Sequence, residues 1–246
     1  MSNGVEHSQE ERMSGKTLQR KPEFRLEANM AAPVARWMSL HGLDVKSEFL
    51  LPWGVCDLVG IEFDPAKVKK RIACGQLRSI GSLVRFLILS RIPDCETGRS
   101  ISIARLSRGF RGNLPPDVLM AEIDILFRSK FLRSPKRGFV QKLNGWAPLH
   151  VKLVAVELKL TRISEAVSQA TSNLQFATHS YVALPMKRAV SLACGKRAEV
   201  FVRSGIGLLG VSGRSCREVI KPTAAHTANE LIQMQVAERF WRTRDS

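Results

Sequence analysis

The chain has 246 residues, 44% hydrophobic and 24% charged, with a formal net charge of +16. This composition is that of a folded protein of one sizeable or two small domains and excludes a disordered one. Its five cysteines (Cys56, Cys74, Cys95, Cys194 and Cys216) form no C-x-x-C pair and no cluster with histidine, which excludes a disulfide framework and a structural zinc site.

Free thiols imply a reducing, cytoplasmic setting. The first 21 residues are polar and lack the apolar segment of a signal peptide, and no apolar run reaches membrane-spanning length. The charge is unevenly spread. Residues 22–66 hold three basic and seven acidic side chains, whereas residues 67–145 hold 17 basic and five acidic ones. Residues 151–246 hold 14 basic and seven acidic. A positive field over the middle and C-terminal parts attracts polyanions.

Residues 1–21 read as a flexible lead. Helical spacing then predicts a helix over 22–41 that buries Leu26, Met30, Ala31, Val34, Trp37 and Met38, with Pro33 as a kink or break and Gly42 as its stop. Strands are predicted at 44–51 and 55–63 around the turn Pro52-Trp53-Gly54, with Asp57 sharing a face with Val55, Val59, Ile61 and Phe63. Residues 67–75 read as a basic connector.

The segment 76–145 has a different character. It reads as an apolar helix near 82–92, a polar loop, a strand leading into a small helix, a second helix over 117–130, and two short strands around the basic turn at 134–138. Val118, Met120, Ile123, Leu126 and Phe127 are the expected inward side of the second helix. This order is that of a winged helix-turn-helix. Further on come strand 151–159, helix 162–177, strand 180–184, a helix near 186–194, strands 198–203 and 206–211, and a last helix over 227–242.

Chemistry concentrates at two points. Glu157 and Lys159 are two apart on an apolar strand, so both side chains leave the same face, where burial is costly unless they meet a metal, a substrate or each other. Asp57, also amid apolar neighbours, is the natural second carboxylate. Two converging carboxylates make an oxygen-rich site suited to Mg²⁺ or Mn²⁺. Such an ion orients and acidifies a water and offsets charge on a scissile phosphate, and Lys159 beside it can stabilise that phosphate or help deprotonate the water.

Asp57 followed by Glu157-Leu158-Lys159 resembles the core of the PD-(D/E)xK nuclease superfamily. The resemblance implies an α/β fold: a restriction-endonuclease-like mixed central sheet flanked by helices. The chain would divide into a lead at 1–21, core parts at 22–75 and 146–246, and an inserted winged helix-turn-helix-like module at 76–145. It further implies Glu27 on the opening helix as a third metal ligand and Gln169, with Gln175 as a competing candidate, as a site residue. The chain departs from the pattern in having Cys56 before Asp57, and in the 100 residues between Asp57 and Glu157, which the inserted module accounts for. The expected function is metal-dependent hydrolysis of nucleic acid, DNA more than RNA, with Arg128, Lys130, Arg133, Lys136, Arg137 and Lys142 as phosphate contacts. The resemblance also raises the expectation of a homodimer. The competing readings are an RNA nuclease, an inactive nuclease-fold DNA-binding or regulatory protein, and an adaptor whose modules bind protein.

Overall fold

A computed structural model describes residues 24–143, 147–225 and 229–241. The lead at 1–21 and the outer ends of the helices expected over 22–41 and 227–242 lie outside the described residues.

The described part opens with a 3-10 turn, Glu27–Met30, that runs straight into helix α1, Ala31–Leu40. The single helix expected over 22–41 is therefore divided. The division falls ahead of Pro33, which sits in the first turn of α1, where its missing N–H has no intrahelical partner to lose. Leu26, expected inside, is 64% exposed because it precedes the turn. The hairpin strands are β1, Asp44–Leu51, and β2, Gly54–Phe63.

The expected connector at 67–75 is instead helix α2, Pro65–Ala73. Asp64 caps it by accepting from Ala66 N and Lys67 N, and Pro65 supplies the first-turn geometry. Next come α3 (Leu83–Ser90), the short β3 (Ile101–Ser102), α4 (Ile103–Gly109), α5 (Pro116–Arg128), β4 (Leu132–Arg133) and β5 (Phe139–Lys142). The chain continues through β6 (His150–Leu158), α6 (Ile163–Asn173), β7 (His179–Pro185), α7 (Met186–Ala193), α8 (Ala198–Ser204), β8 (Gly207–Ser212), β9 (Ser215–Ile220) and α9 (Glu230–Trp241).

Residues 198–203, expected as a strand for their valines and phenylalanine, form helix α8. Only Phe201 of the three points inward, Val200 and Val202 being 44% and 65% exposed, and Gly205 at φ +70 ends the helix. Helix α6 stops at Asn173, not at 177.

Six strands form one mixed sheet in the order β1-β2-β6-β7-β8-β9. β6, β7 and β8 are parallel, and the outer pairings are antiparallel. Helix α1 covers one face, where Val34 and Met38 pack on Leu58, Val154, Val156 and Leu158. The approach is close: a Cβ on Gly60 would lie 2.6 Å from Met38 Cε. On the other face, α9 packs Val236, Ala237 and Phe240 against Val59, Ile61, Leu153 and Ala155. Phe201 of α8 joins Ala166 and Ala170 of α6 over Val182, Leu184 and Leu208.

The segment between β2 and β6 has a core of its own, built from residues between Ile80 and Val140 together with Met234 of α9. Its three short strands form a separate sheet in the order β3-β5-β4. On α5 the buried side is Leu119, Ile123 and Leu126, whereas Val118 and Met120, expected inside, are each 38% exposed. Among the described residues no helix is long and apolar enough to cross a membrane.

Candidate functional site

The antiparallel ladder pairs Leu58 with Val156, so its next step sets Asp57 across from Glu157. The ladder between β1 and β2 pairs Ser47 with Leu58 and Phe49 with Cys56, which sets Glu48 across from Asp57. Glu48 adopts a left-handed φ of +48°, and the pairing is broken there. This kink alters the alternation expected of β2. Cys56 is buried with Val59 and Ile61, whereas Val55, expected to share their face, is 54% exposed.

Four expected residues come together at the end of β6. Asp57 Oδ2 accepts from Leu158 N at 2.7 Å, which ties β2 to the motif strand. Glu157 is 3% exposed and accepts from Asn173 Nδ2 at 2.7 Å. Lys159, just past β6, is 8% exposed and stands 3.7 Å from Glu27 Oε2, and Glu27 Oε1 accepts from Leu160 N at 3.0 Å.

Burial raises the proton affinity of Glu157; the Asn173 hydrogen bond opposes this, the nearby Asp57 adds to it and Lys159 opposes it. Burial likewise raises that of Asp57, against the Leu158 N–H and Lys159, with Glu27 and Glu48 pushing further upward. The Cys56 thiol is pushed well up by burial and by Glu157.

Gln169 lies one helical turn before Asn173 on α6, which puts it on the same side of that helix. Its Oε1 is buried and finds no hydrogen-bond partner among the described residues. Gln175 is exposed beyond the end of the helix. Sequence reasoning misses Asn173 and Glu48 as members of the site. Asn173 stands four residues after Gln169, a spacing that could have found it; Glu48 needed the register.

The donor chemistry is of the kind a divalent cation takes: Asp57, Glu157 and Glu27 offer hard carboxylate oxygens, and burial raises the proton affinity of the first two. Among the described residues, however, no three His, Cys, Asp or Glu side chains are gathered as a ready ligand set. Glu27 is engaged with Leu160 N and Lys159.

Of the expected phosphate contacts, Arg128, Lys130, Arg133, Lys136 and Arg137 are exposed. Lys142 is a correction: it is 9% exposed and pairs with Asp94 Oδ2 at 3.5 Å, because β5 turns it inward. Lys136 lies over the Phe139 ring at 4.1 Å, and Lys130 ends α5 with φ +61°. The segment's acids Asp94, Glu96 and Glu122 are each in ion pairs, with Lys142, Lys70 and Arg85. Its other two acids, Asp117 and Asp124, are exposed seven residues apart on α5, with the exposed Arg128 one turn further along the same face. On α4, Arg105 and Arg108 are exposed, as is Arg111 just beyond it, and Ile103 N donates to Gly138 O of the β4–β5 turn at 2.8 Å.

No protein-family model matches the chain, and no curated protein matches it in sequence. Among solved structures, a protein of unknown function from Silicibacter pomeroyi is similar at 12% identity and a TM-score of 0.42, over 91% of this chain and 88% of that one.

Proposed function

We propose that the protein is a metal-dependent nuclease of the PD-(D/E)xK type that hydrolyses phosphodiesters in DNA. The observation that carries this reading is the buried Glu157 with the half-buried Asp57, which raises its proton affinity, beside the buried Lys159 at the end of a central strand. A bound Mg²⁺ or Mn²⁺ would supply an acidified water and charge compensation at the phosphate. Asp57, Glu157 and Glu27 would hold it.

The side chains divide the remaining work. Leu158 N–H orients Asp57, and Asn173 orients Glu157, so each carboxylate presents a fixed oxygen. Lys159 places a positive charge where negative charge develops on the phosphate. The unpartnered Gln169 Oε1 is an acceptor available to a water or a substrate hydroxyl. The segment 76–145 runs helix, strand, two helices and a two-stranded turn, the order of a winged helix-turn-helix. In this reading it holds substrate through α4 and the β4–β5 turn, which carry exposed cations and no acid, whereas the exposed face of α5 sets Asp117 and Asp124 beside Arg128.

The test is cleavage of supercoiled, linear and single-stranded DNA and of RNA by the full chain with Mg²⁺ or Mn²⁺. Glu157→Gln and Lys159→Ala should each lower the rate roughly 10³-fold while affinity changes less than about 2-fold. Absence of hydrolysis on every substrate with both metals, or cutting that persists in both variants, overturns the reading.

A further inference from the structure

Past Lys159 the chain enters a cleft of about 600 Å³ between α6, α7 and α8, whose wall begins at Thr161. It lies beyond the carboxyl ends of the parallel strands β6 and β7, the position where open α/β sheets place their ligands. Ile163, Val167 and Val200 give it an apolar lining over the buried Phe201, and Arg162, Arg188 and Arg197 give it cationic groups.

These arginines differ in how they are engaged. Arg162 pairs with Glu165 at 2.9 Å, and Arg188 Nη2 donates to Thr161 O at 3.1 Å. Arg197 makes no side-chain hydrogen bond or ion pair among the described residues. The three arginines are the charged residues of the cleft lining, and Glu165 pairs with one of them. In addition, α6 starts at this cleft with no capping side chain, which leaves first-turn N–H groups available to an acceptor. Planar guanidinium groups over an apolar floor suit a nucleotide, with charge for the phosphate and apolar surface for sugar and base.

We infer that this cleft is a phosphate-binding subsite that seats the nucleic-acid strand next to the bond being cut, with Arg188 and Arg197 on one phosphate and Ile163, Val167 and Val200 under the adjoining nucleoside. This rests on the nuclease reading of the neighbouring site. The phosphate is either a terminal monoester or an internal diester; both offer the same oxygens to the arginines.

The experiment measures binding of the full-length protein in EDTA, where no metal-dependent cutting occurs. Fluorescence anisotropy is read on three single-stranded DNA probes: linear with a 5′-phosphate, linear with a 5′-hydroxyl, and circular. Arg188→Ala/Arg197→Ala should weaken binding roughly 10-fold. Arg36→Ala/Lys69→Ala, which removes the same formal charge elsewhere, should change it less than about 2-fold. Loss on the 5′-phosphorylated probe alone supports the subsite with a terminal phosphate; loss on all three supports it with an internal diester. Should the double variant unfold, Arg197→Glu alone, whose side chain contacts no described partner, must still weaken binding. Unchanged affinity, or an equal loss in the control pair, overturns the inference. If wild type cuts no nucleic acid yet the cleft variants lose the probes, the nuclease reading falls and the cleft stands. If cleavage is normal and binding is indifferent to both arginines, the cleft falls and the nuclease reading stands.

Discussion

Two regions of this chain carry their charge in opposite ways. At the end of β6 a few charged groups are packed out of water, and burial is the largest influence on both Asp57 and Glu157. In residues 76–145, thirteen basic side chains face five acidic ones, and most of the basic ones stand in solvent. Groups of the first kind feel each other strongly, so removing one changes its neighbours. Groups of the second kind are screened by salt and act nearly additively. The first arrangement suits a rate, which depends on charge at one point; the second suits affinity, which depends on total phosphate neutralised.

The seam between the two regions gives the largest expected effect. Arg71 and Glu238 are 6% and 4% exposed and form a two-pronged ion pair linking α2 to α9. Glu238 also accepts from Ile80 N at 2.8 Å, at the entrance to the 76–145 core. The Arg71 guanidinium lies 5.1 Å from the Phe131 ring and 4.5 Å from that of Trp241. Glu238→Ala strands a buried guanidinium and should cost about 3–5 kcal/mol, read as a drop in the urea midpoint. The double change Arg71→Met/Glu238→Leu should recover most of that loss, because it strands no charge. A cost below about 1 kcal/mol for Glu238→Ala would mean the two cores are joined by apolar contact alone.

The solvent-facing charges should give a smaller effect that depends on salt. Lys136→Glu/Arg137→Glu should weaken DNA binding roughly 10-fold at low ionic strength and much less at high, with a flatter salt dependence. Asp117→Asn/Asp124→Asn on α5 should leave affinity unchanged or tighten it by less than about 2-fold. If binding instead tightened roughly 10-fold when the α5 acids were neutralised, α5 would lie against the DNA and the division between its face and the α4–turn surface would fail.

The site was more legible in the sequence than the ends of the elements around it. Asp57, Glu157 and Lys159 stand out because a charged side chain in an apolar strand is costly, and that cost is visible without a structure. Periodicity likewise found the six strands' positions except β9, whose Ser215–Ile220 is too polar to read as strand. It misread residues 198–203, where β-branched content argued for a strand and the cap at Gly205 decided for a helix. The phase of α5 was also misread, since Val118 and Met120 belong to its exposed side. Lys142 read as a surface lysine because its inward direction is fixed by β5 pairing with β3 and β4. Glu48 could not be found at all, since its place beside Asp57 follows from the register of β1 on β2.

Glu48 also gives the smallest and most local way to probe the buried region. Its φ of +48° is a left-handed conformation, which costs a side-chain-bearing residue about 1–2 kcal/mol. Glycine relieves that cost but loses roughly 0.5–1 kcal/mol through its freer unfolded chain, so Glu48→Gly should be neutral to slightly stabilising. Glu48→Val, which keeps a branched Cβ in that conformation, should be destabilised by about 1–2 kcal/mol relative to Glu48→Gly. Glu48→Gln isolates the charge, because it preserves the backbone demand and removes a negative neighbour that raises the Asp57 proton affinity. A carboxyl with a raised folded-state pKa favours folding most below its ordinary value, 3.8 for Asp57, and that contribution is lost as pH rises through the folded value. In metal-free protein Glu48→Gln should therefore lessen the fall in stability with rising pH, and its melting curve should approach that of wild type in acid. Equal stability of Glu48→Gly and Glu48→Val would show that the backbone at this position is not held left-handed. A Glu48→Gln profile parallel to wild type at every pH would show that Asp57 does not feel this neighbour, and that the buried region is set by Leu158 N–H, Lys159 and burial alone.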